Sequence, residues 1–315
     1  MIALGTRRAV AALLRWGLAI LLLAGVAYQF ARSYAQLRAS PATFAPGWSA
    51  VSIGALVVFL FVASEAWRAW MASLGERIGR RTAFRLFYLS NLGKYLPGGV
   101  WNFVGRVGLA QREGISAVRV SISILLEMAC QIVAATLIAL PTLPFFSAKP
   151  SFVGPTTLTI TALGLVLAMH PKIMNLALAI GEKVLRRSIP RIPTSYVFIL
   201  RMLLVYSANW LLFCLAFAAL ARAIVPEPLS SSEVLVIVGA FALSYNAGVF
   251  AFFLPGGLGV REVALVFLLG SSLASPWPAT LALVARCWVL LGEVGCFLVA
   301  LGLQRQDPEH ERAVQ

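Results

Sequence analysis

Apolar residues in this chain fall in long blocks. They do not alternate as in a half-buried strand, nor recur every third or fourth position as in a surface helix. A helix needs about 20 mostly apolar residues to cross a bilayer core. Six blocks qualify: 12–31, 50–71, 118–140, 153–170, 197–221 and 278–303. Two further stretches are apolar but interrupted. Phe84–Ala110 is broken by Pro97-Gly98-Gly99, and Val234–Leu273 by Pro255-Gly256-Gly257. The pattern predicts an all-α polytopic membrane protein, with six clear spans and two broken helices that either re-enter or cross twice. Ile173–Arg187 is basic at one end and apolar at the other, which predicts an interfacial helix.

Composition agrees. Of 315 residues 60% are hydrophobic and only 12% charged, against about 45–50% and about 25% in soluble domains. This excludes a soluble globule, a disordered chain and a secreted disulfide scaffold. The charge of +14 could suggest nucleic acid, but no soluble stretch is long enough to build a binding domain. Lys and Arg in cytoplasmic loops account for it more simply. Arg7, Arg8 and Arg15 put the N-terminus inside. Arg77, Arg80, Arg81 and Arg85, then Lys172, Lys183, Arg186, Arg187 and Arg191, form further inside clusters, and Arg305–Gln315 ends inside. Both termini are therefore expected in the cytoplasm. Ser33-Tyr34-Ala35 could pass for a signal cleavage site, but the length of the first block favours a retained span.

Rare residues narrow the chemistry. The single Asp, Asp307, lies in the polar tail, so an Asp-x-Asp metal pair is excluded. With only His170 and His310, zinc chemistry of the His-Glu-x-x-His type is excluded as well. Cys130, Cys214, Cys287 and Cys296 all lie in apolar runs and read as buried small hydrophobes. No cofactor and no metal are expected.

The interrupted stretches resemble each other. Phe87-Tyr88-Leu89-Ser90-Asn91 precedes Leu96-Pro97-Gly98-Gly99, and Phe241-Ala242-Leu243-Ser244-Tyr245-Asn246 precedes Leu254-Pro255-Gly256-Gly257. Each is flanked by spans, so the chain reads as one membrane domain holding two copies of a unit. These are 50–140 and 197–303, joined by 141–196 and followed by a polar tail, 304–315. By the charge topology they enter from opposite sides, as inverted repeats. Pro/Gly-broken segments in matching halves are the best pointer in sequence to a transporter site. Pro97 and Pro255 stop the incoming helix. Gly98, Gly99, Gly256 and Gly257 permit positive φ and close backbone approach. The next half-helix then starts inside the membrane, where its free N–H groups suit an anion such as a lipid phosphate.

Charges inside the apolar blocks are the other signal, since each costs about 2.5–3.5 kcal/mol near the bilayer centre. Lys94 and Arg106 flank the first break, and Arg261 and Glu262 follow the second. Glu127 is in mid-span, and Arg286 and Glu293 share one face of the last span. With Asn246 these are the expected headgroup-binding residues. Glu65 and Arg68 are expected as an i, i+3 pair, and Arg201 and Arg222 as anchors that snorkel to the interface.

Lys94-Tyr95-Leu96-Pro97-Gly98-Gly99 with Arg106, then Glu127, then Pro255-Gly256-Gly257-Leu258-Gly259-Val260-Arg261-Glu262, resembles the flippase-like membrane domain of lysylphosphatidylglycerol synthases over about 50–303. The resemblance implies movement of a lipid between leaflets by two inverted halves with re-entrant helices, and roles for Lys94, Arg106, Glu127, Arg261 and Glu262. It does not imply lipid aminoacylation, because these residues contain no counterpart of the soluble aminoacyl-transfer domain. Where the family often has Arg directly after the mid-span Glu and Asp four residues after it, this chain has Met128 and Gln131.

The expected function is a flippase or transporter of an anionic or modified lipid in the bacterial inner membrane, not an enzyme. Its partners would be membrane lipids rather than nucleic acid, with a lipid-modifying enzyme or a second copy of the chain as further candidates. An enzyme acting on polyprenyl-linked sugars or lipids, and a non-transporting accessory subunit, remain the alternatives.

Overall fold

A computed structural model describes residues 45–96, 100–146, 154–185, 191–251 and 254–305. The expected first span at 12–31, the break residues Pro97, Gly98 and Gly99, and the tail from 306 onward lie outside these. All regular structure among the described residues is helical: α1 (Pro46–Ser73), α2 (Arg80–Asn91), α3 (Trp101–Arg112), α4 (Ala117–Ala139), α5 (Pro155–Ala168), α6 (Pro171–Leu185), α7 (Tyr196–Ile224), α8 (Ser231–Phe250), α9 (Val260–Leu269) and α10 (Trp277–Arg305). Tight 3₁₀ turns at Leu92–Tyr95, Leu140–Phe146 and Pro255–Gly257 interrupt the sequence of helices.

Local signals explain the helix starts. Pro46 and Pro155 occupy first-turn positions, where a missing N–H costs nothing. Ser195 accepts from the Phe198 N–H at 3.3 Å. Ser230 and Glu233 form a reciprocal capping box. In hydrocarbon every backbone group must be satisfied within the protein, which is why long apolar runs become helices.

Five of these elements are long and apolar enough to cross a bilayer: α1, α4 with the turn that continues it to Phe146, α7, α8 and α10. The chain is thus a multi-pass membrane protein. The blocks at 50–71, 118–140, 197–221 and 278–303 are spans as expected. The block at 153–170 makes a sixth span if α5 and α6 together form one bent crossing. Its helix, α5, has 14 residues, about 21 Å at 1.5 Å per residue, short of the ~30 Å core. It bends by 63° into α6. Pro171 imposes the bend, because a proline disfavours helical backbone at the residue before it. The stretch expected as an interfacial helix folds as α6, with Ile173, Leu176 and Ile180 exposed along it.

The two interrupted stretches also differ in shape. Around the first break, α2 and α3 have 12 residues each. At the second, α8 has 20 residues and is a full-length span, and only the 10-residue α9 is short.

α1 lies along α7, and α4 packs on both α7 and α8. α2 packs on α10, α3 lies against α2 and α4, and α9 against α8 and α10. The turns at Leu92–Tyr95 and Pro255–Gly257 touch. Trp67, Trp70, Trp210, Phe217 and Phe241 are fully buried between these helices. The Phe59 and Phe213 rings stack at 3.9 Å, and the Trp67 indole donates to Ser123 Oγ at 2.9 Å. The outward surface is apolar, with Val57, Val58, Phe61, Leu163 and Leu291 exposed. Cys130 and Cys214 are buried as expected, but Cys287 is exposed on α10. That helix buries a stripe holding Leu281, Ala285 and Trp288, and Cys287 lies off it.

Candidate functional site

The second break is built from glycine. Gly256, Gly257 and Gly259 have φ of 55°, 65° and 84°, a region that side chains rarely enter. A Cβ on Gly257 would lie 2.7 Å from Gly248 Cα, so the chain folds back directly onto the last turn of α8. α9 then begins with Glu262 reaching back to accept the Gly259 N–H at 2.7 Å. On the other side, a Cβ on Gly93 would meet the Asn102 backbone N at 2.8 Å. This close approach seats the turn carrying Lys94 and Tyr95 on the start of α3.

Between these turns lies a cavity of about 230 Å³. Lys94, Arg106, Glu127, Gly256, Gly257, Arg261, Arg286 and Glu293 all line it, so eight of the expected residues come together from five separate parts of the chain. Glu262 and Asn246 are set behind the wall. Glu262 caps α9 and pairs with Arg286. Asn246 Nδ2 donates to Ile132 O at 3.3 Å and to Thr136 Oγ1 at 2.9 Å, locking α8 to α4.

The charges pair across the interior. Arg106 Nη1 meets Glu127 Oε2 at 2.6 Å, the two residues being 3% and 5% exposed. Gln131 Nε2 holds the other Glu127 oxygen at 3.0 Å. Lys94 Nζ donates to Glu293 Oε1, and the Tyr95 hydroxyl to Glu293 Oε2 at 2.8 Å. Arg286 Nη1 lies 3.3 Å from Glu262 Oε1 and donates to the Gly256 carbonyl at 3.2 Å.

Arg261 differs. It takes part in no ion pair among the described residues, and its buried Nη2 has no hydrogen-bond partner. Its guanidinium lies 5.1 Å from the Phe241 ring centre and 5.6 Å from that of Tyr245, close enough for a favourable cation–π contact. Arg106 has the corresponding seat in the first half, 4.1 Å from the Phe87 ring centre. Phe87 and Phe241 hold equivalent places in the two copies of the motif, as do Ser90 and Ser244. Each serine turns its hydroxyl back onto the carbonyl of its own phenylalanine, at 2.9 and 2.8 Å.

Tyr95, Gln131 and Tyr245 belong to the site although their residue types did not announce it. The Tyr245 hydroxyl donates to Gln131 Oε1 at 2.9 Å, which completes a chain from Arg106 through Glu127 and Gln131 to Tyr245. The available signal was spacing: Gln131 is polar within an apolar span and one turn from Glu127, so both share a face. The expected Glu65–Arg68 pair is present at 2.9 Å, away from the cavity. Among the described residues no cluster of His, Cys, Asp or Glu could hold a metal.

Fold and site together define a multi-pass helical membrane protein whose broken helices surround a charged interior cavity. The family described as the lysylphosphatidylglycerol synthase TM region matches residues 10–291, and the chain belongs to it. That makes it one of a family of membrane proteins concerned with lipids. No curated protein matches the sequence.

Proposed function

We propose that this protein is a lipid flippase of the bacterial inner membrane, carrying an anionic headgroup through the cavity while the acyl chains stay in the bilayer. The observation that carries the reading is Arg261, a cation without an ion pair among the described residues, lining a cavity with charged side chains in its wall inside the apolar body of the protein. A charge in such a setting normally has a counter-ion or marks a pathway.

Packing supports a carrier built from two inverted halves. If α1–α4 are exchanged with α7–α10, the contact of α2 with α10 becomes that of α8 with α4. Likewise α2 on α3 becomes α8 on α9, and α3 on α4 becomes α9 on α10. The α1–α7 contact and the meeting of the two turns map onto themselves. Such a two-fold relation between broken helices suits alternating access around a central site. The predicted topology, with both termini cytoplasmic, gives the halves opposite orientations. The cross-half contacts of Lys94 and Tyr95 with Glu293, and of Tyr245 with Gln131, are the ones a rocking motion would have to break and remake.

Reconstitution into liposomes tests this. Transbilayer movement of labelled phosphatidylglycerol should exceed that in protein-free vesicles. Rates equal to empty vesicles for every anionic lipid tried would refute transport.

A further inference from the structure

Resting on the lipid-binding reading, we propose that the cavity selects a phosphodiester headgroup that carries hydroxyls and no ammonium, and turns away amine-bearing headgroups. The argument comes from the donors and acceptors on the wall. All six carboxylate oxygens near the cavity already hold a donor. Glu127 holds Arg106 and Gln131, Glu293 holds Lys94 and Tyr95, and Glu262 holds Arg286 and the Gly259 N–H. An incoming ammonium would find no free carboxylate and would meet four cations.

The unpartnered atoms of the lining residues have the opposite character. The buried Nη2 of Arg261 is a charged donor with no acceptor, so a phosphodiester oxygen matches it as a charge-assisted hydrogen bond. Asn102 also lines the cavity, and its buried Oδ1 has no partner. A neutral amide oxygen suits a hydroxyl donor and offers an ammonium no counter-charge. A phosphodiester of a small uncharged polyol supplies an acceptor for the first and a donor for the second. A lysyl ester of the same headgroup adds ammonium groups for which the wall has no free carboxylate.

Binding decides this without reference to transport. The full chain, held in nanodiscs of a choline lipid, is titrated with a fluorescent phosphatidylglycerol. Competitors are unlabelled phosphatidylglycerol, phosphatidylethanolamine, lysylphosphatidylglycerol and the water-soluble diester glycerophosphoglycerol. Phosphatidylglycerol should compete at least tenfold better than either amine-bearing lipid and better than the soluble diester. Arg261→Gln should weaken phosphatidylglycerol binding at least tenfold. Lys94→Gln, which releases Glu293 Oε1, should raise binding of the amine-bearing lipids. Equal or tighter binding of amine-bearing lipids by the unmodified protein overturns the proposal, whether or not a variant folds. Competition by the soluble diester as strong as by the lipid overturns it too. Selective binding without transbilayer movement would refute transport and leave this inference standing, whereas movement of all lipid classes without selectivity would do the reverse.

Discussion

Arg106 and Arg261 follow matching breaks, and each sits beside the phenylalanine of its own copy of the motif. Their electrostatic surroundings are opposite. Arg106 is enclosed with a carboxylate that glutamine holds from the other side. Arg261 lines the cavity, and its buried Nη2 has no hydrogen-bond partner. The repeated motif positions a guanidinium in each half, and the spans that follow decide what it does. In the first half α4 supplies a glutamate that neutralises it. In the second, α10 supplies Arg286, and the nearby carboxylate, Glu262, pairs with that arginine instead. One arginine holds helices together, and on the proposed reading the other takes the lipid phosphate.

The largest effect should come from breaking the neutralised arginine. Arg106→Ala leaves Glu127 buried without its cation and should cost about 3–5 kcal/mol, the usual penalty for half of a buried pair. Thermal unfolding of the detergent-solubilised protein reads this as a large fall in midpoint. Replacing both residues with Met should recover most of it. A single variant as stable as the native protein would remove the structural role assigned to Arg106.

Gly257→Ala comes next. Its Cβ would collide with backbone at 2.7 Å and its φ is positive, so a loss of about 1–3 kcal/mol is expected, measured the same way.

Arg261→Gln inverts the expectation for Arg106. No ion pair is lost, so stability should hardly move. Lipid movement in proteoliposomes should fall roughly 10- to 100-fold, the worth of one charge-assisted hydrogen bond of about 1.5–3 kcal/mol. A destabilised protein with full transport would reverse the comparison.

The smallest effect is expected at the cross-half link. Tyr245→Phe removes one hydrogen bond to Gln131. It should cost about 0.6 kcal/mol, the mean for such bonds inside membranes. A loss of several kcal/mol would mean that the link between the halves carries far more than one bond.

Much of this organisation was legible in the sequence. The long spans were, because a run such as 197–221 has no alternative to a buried helix in a bilayer. So were the cavity charges, because a lysine, arginine or glutamate inside an apolar block stands out by cost alone. Partners were not legible. Lys94 and Glu293 lie 199 residues apart, and only tertiary packing joins them. Glu262 illustrates the same limit, since its spacing after the break signalled a site residue while its carboxylate caps α9 and holds Arg286. The bend after α5 escaped because hydropathy measures apolarity and not straightness, and Pro171 sets the bend. The unequal arms escaped for a related reason, since matching motifs do not fix how far a helix runs before them.

The unpaired guanidinium also bears on membrane voltage. By formal charge, four cations stand against three carboxylates around it, a surplus of one positive charge that a singly anionic headgroup cancels. On the proposed reading, the loaded protein reorients without moving net charge through the field, and the vacant protein does not. A full elementary charge crossing 100 mV corresponds to about 2.3 kcal/mol. In a cell that is negative inside, the potential therefore acts on the return step alone and draws the vacant site toward the cytoplasmic leaflet.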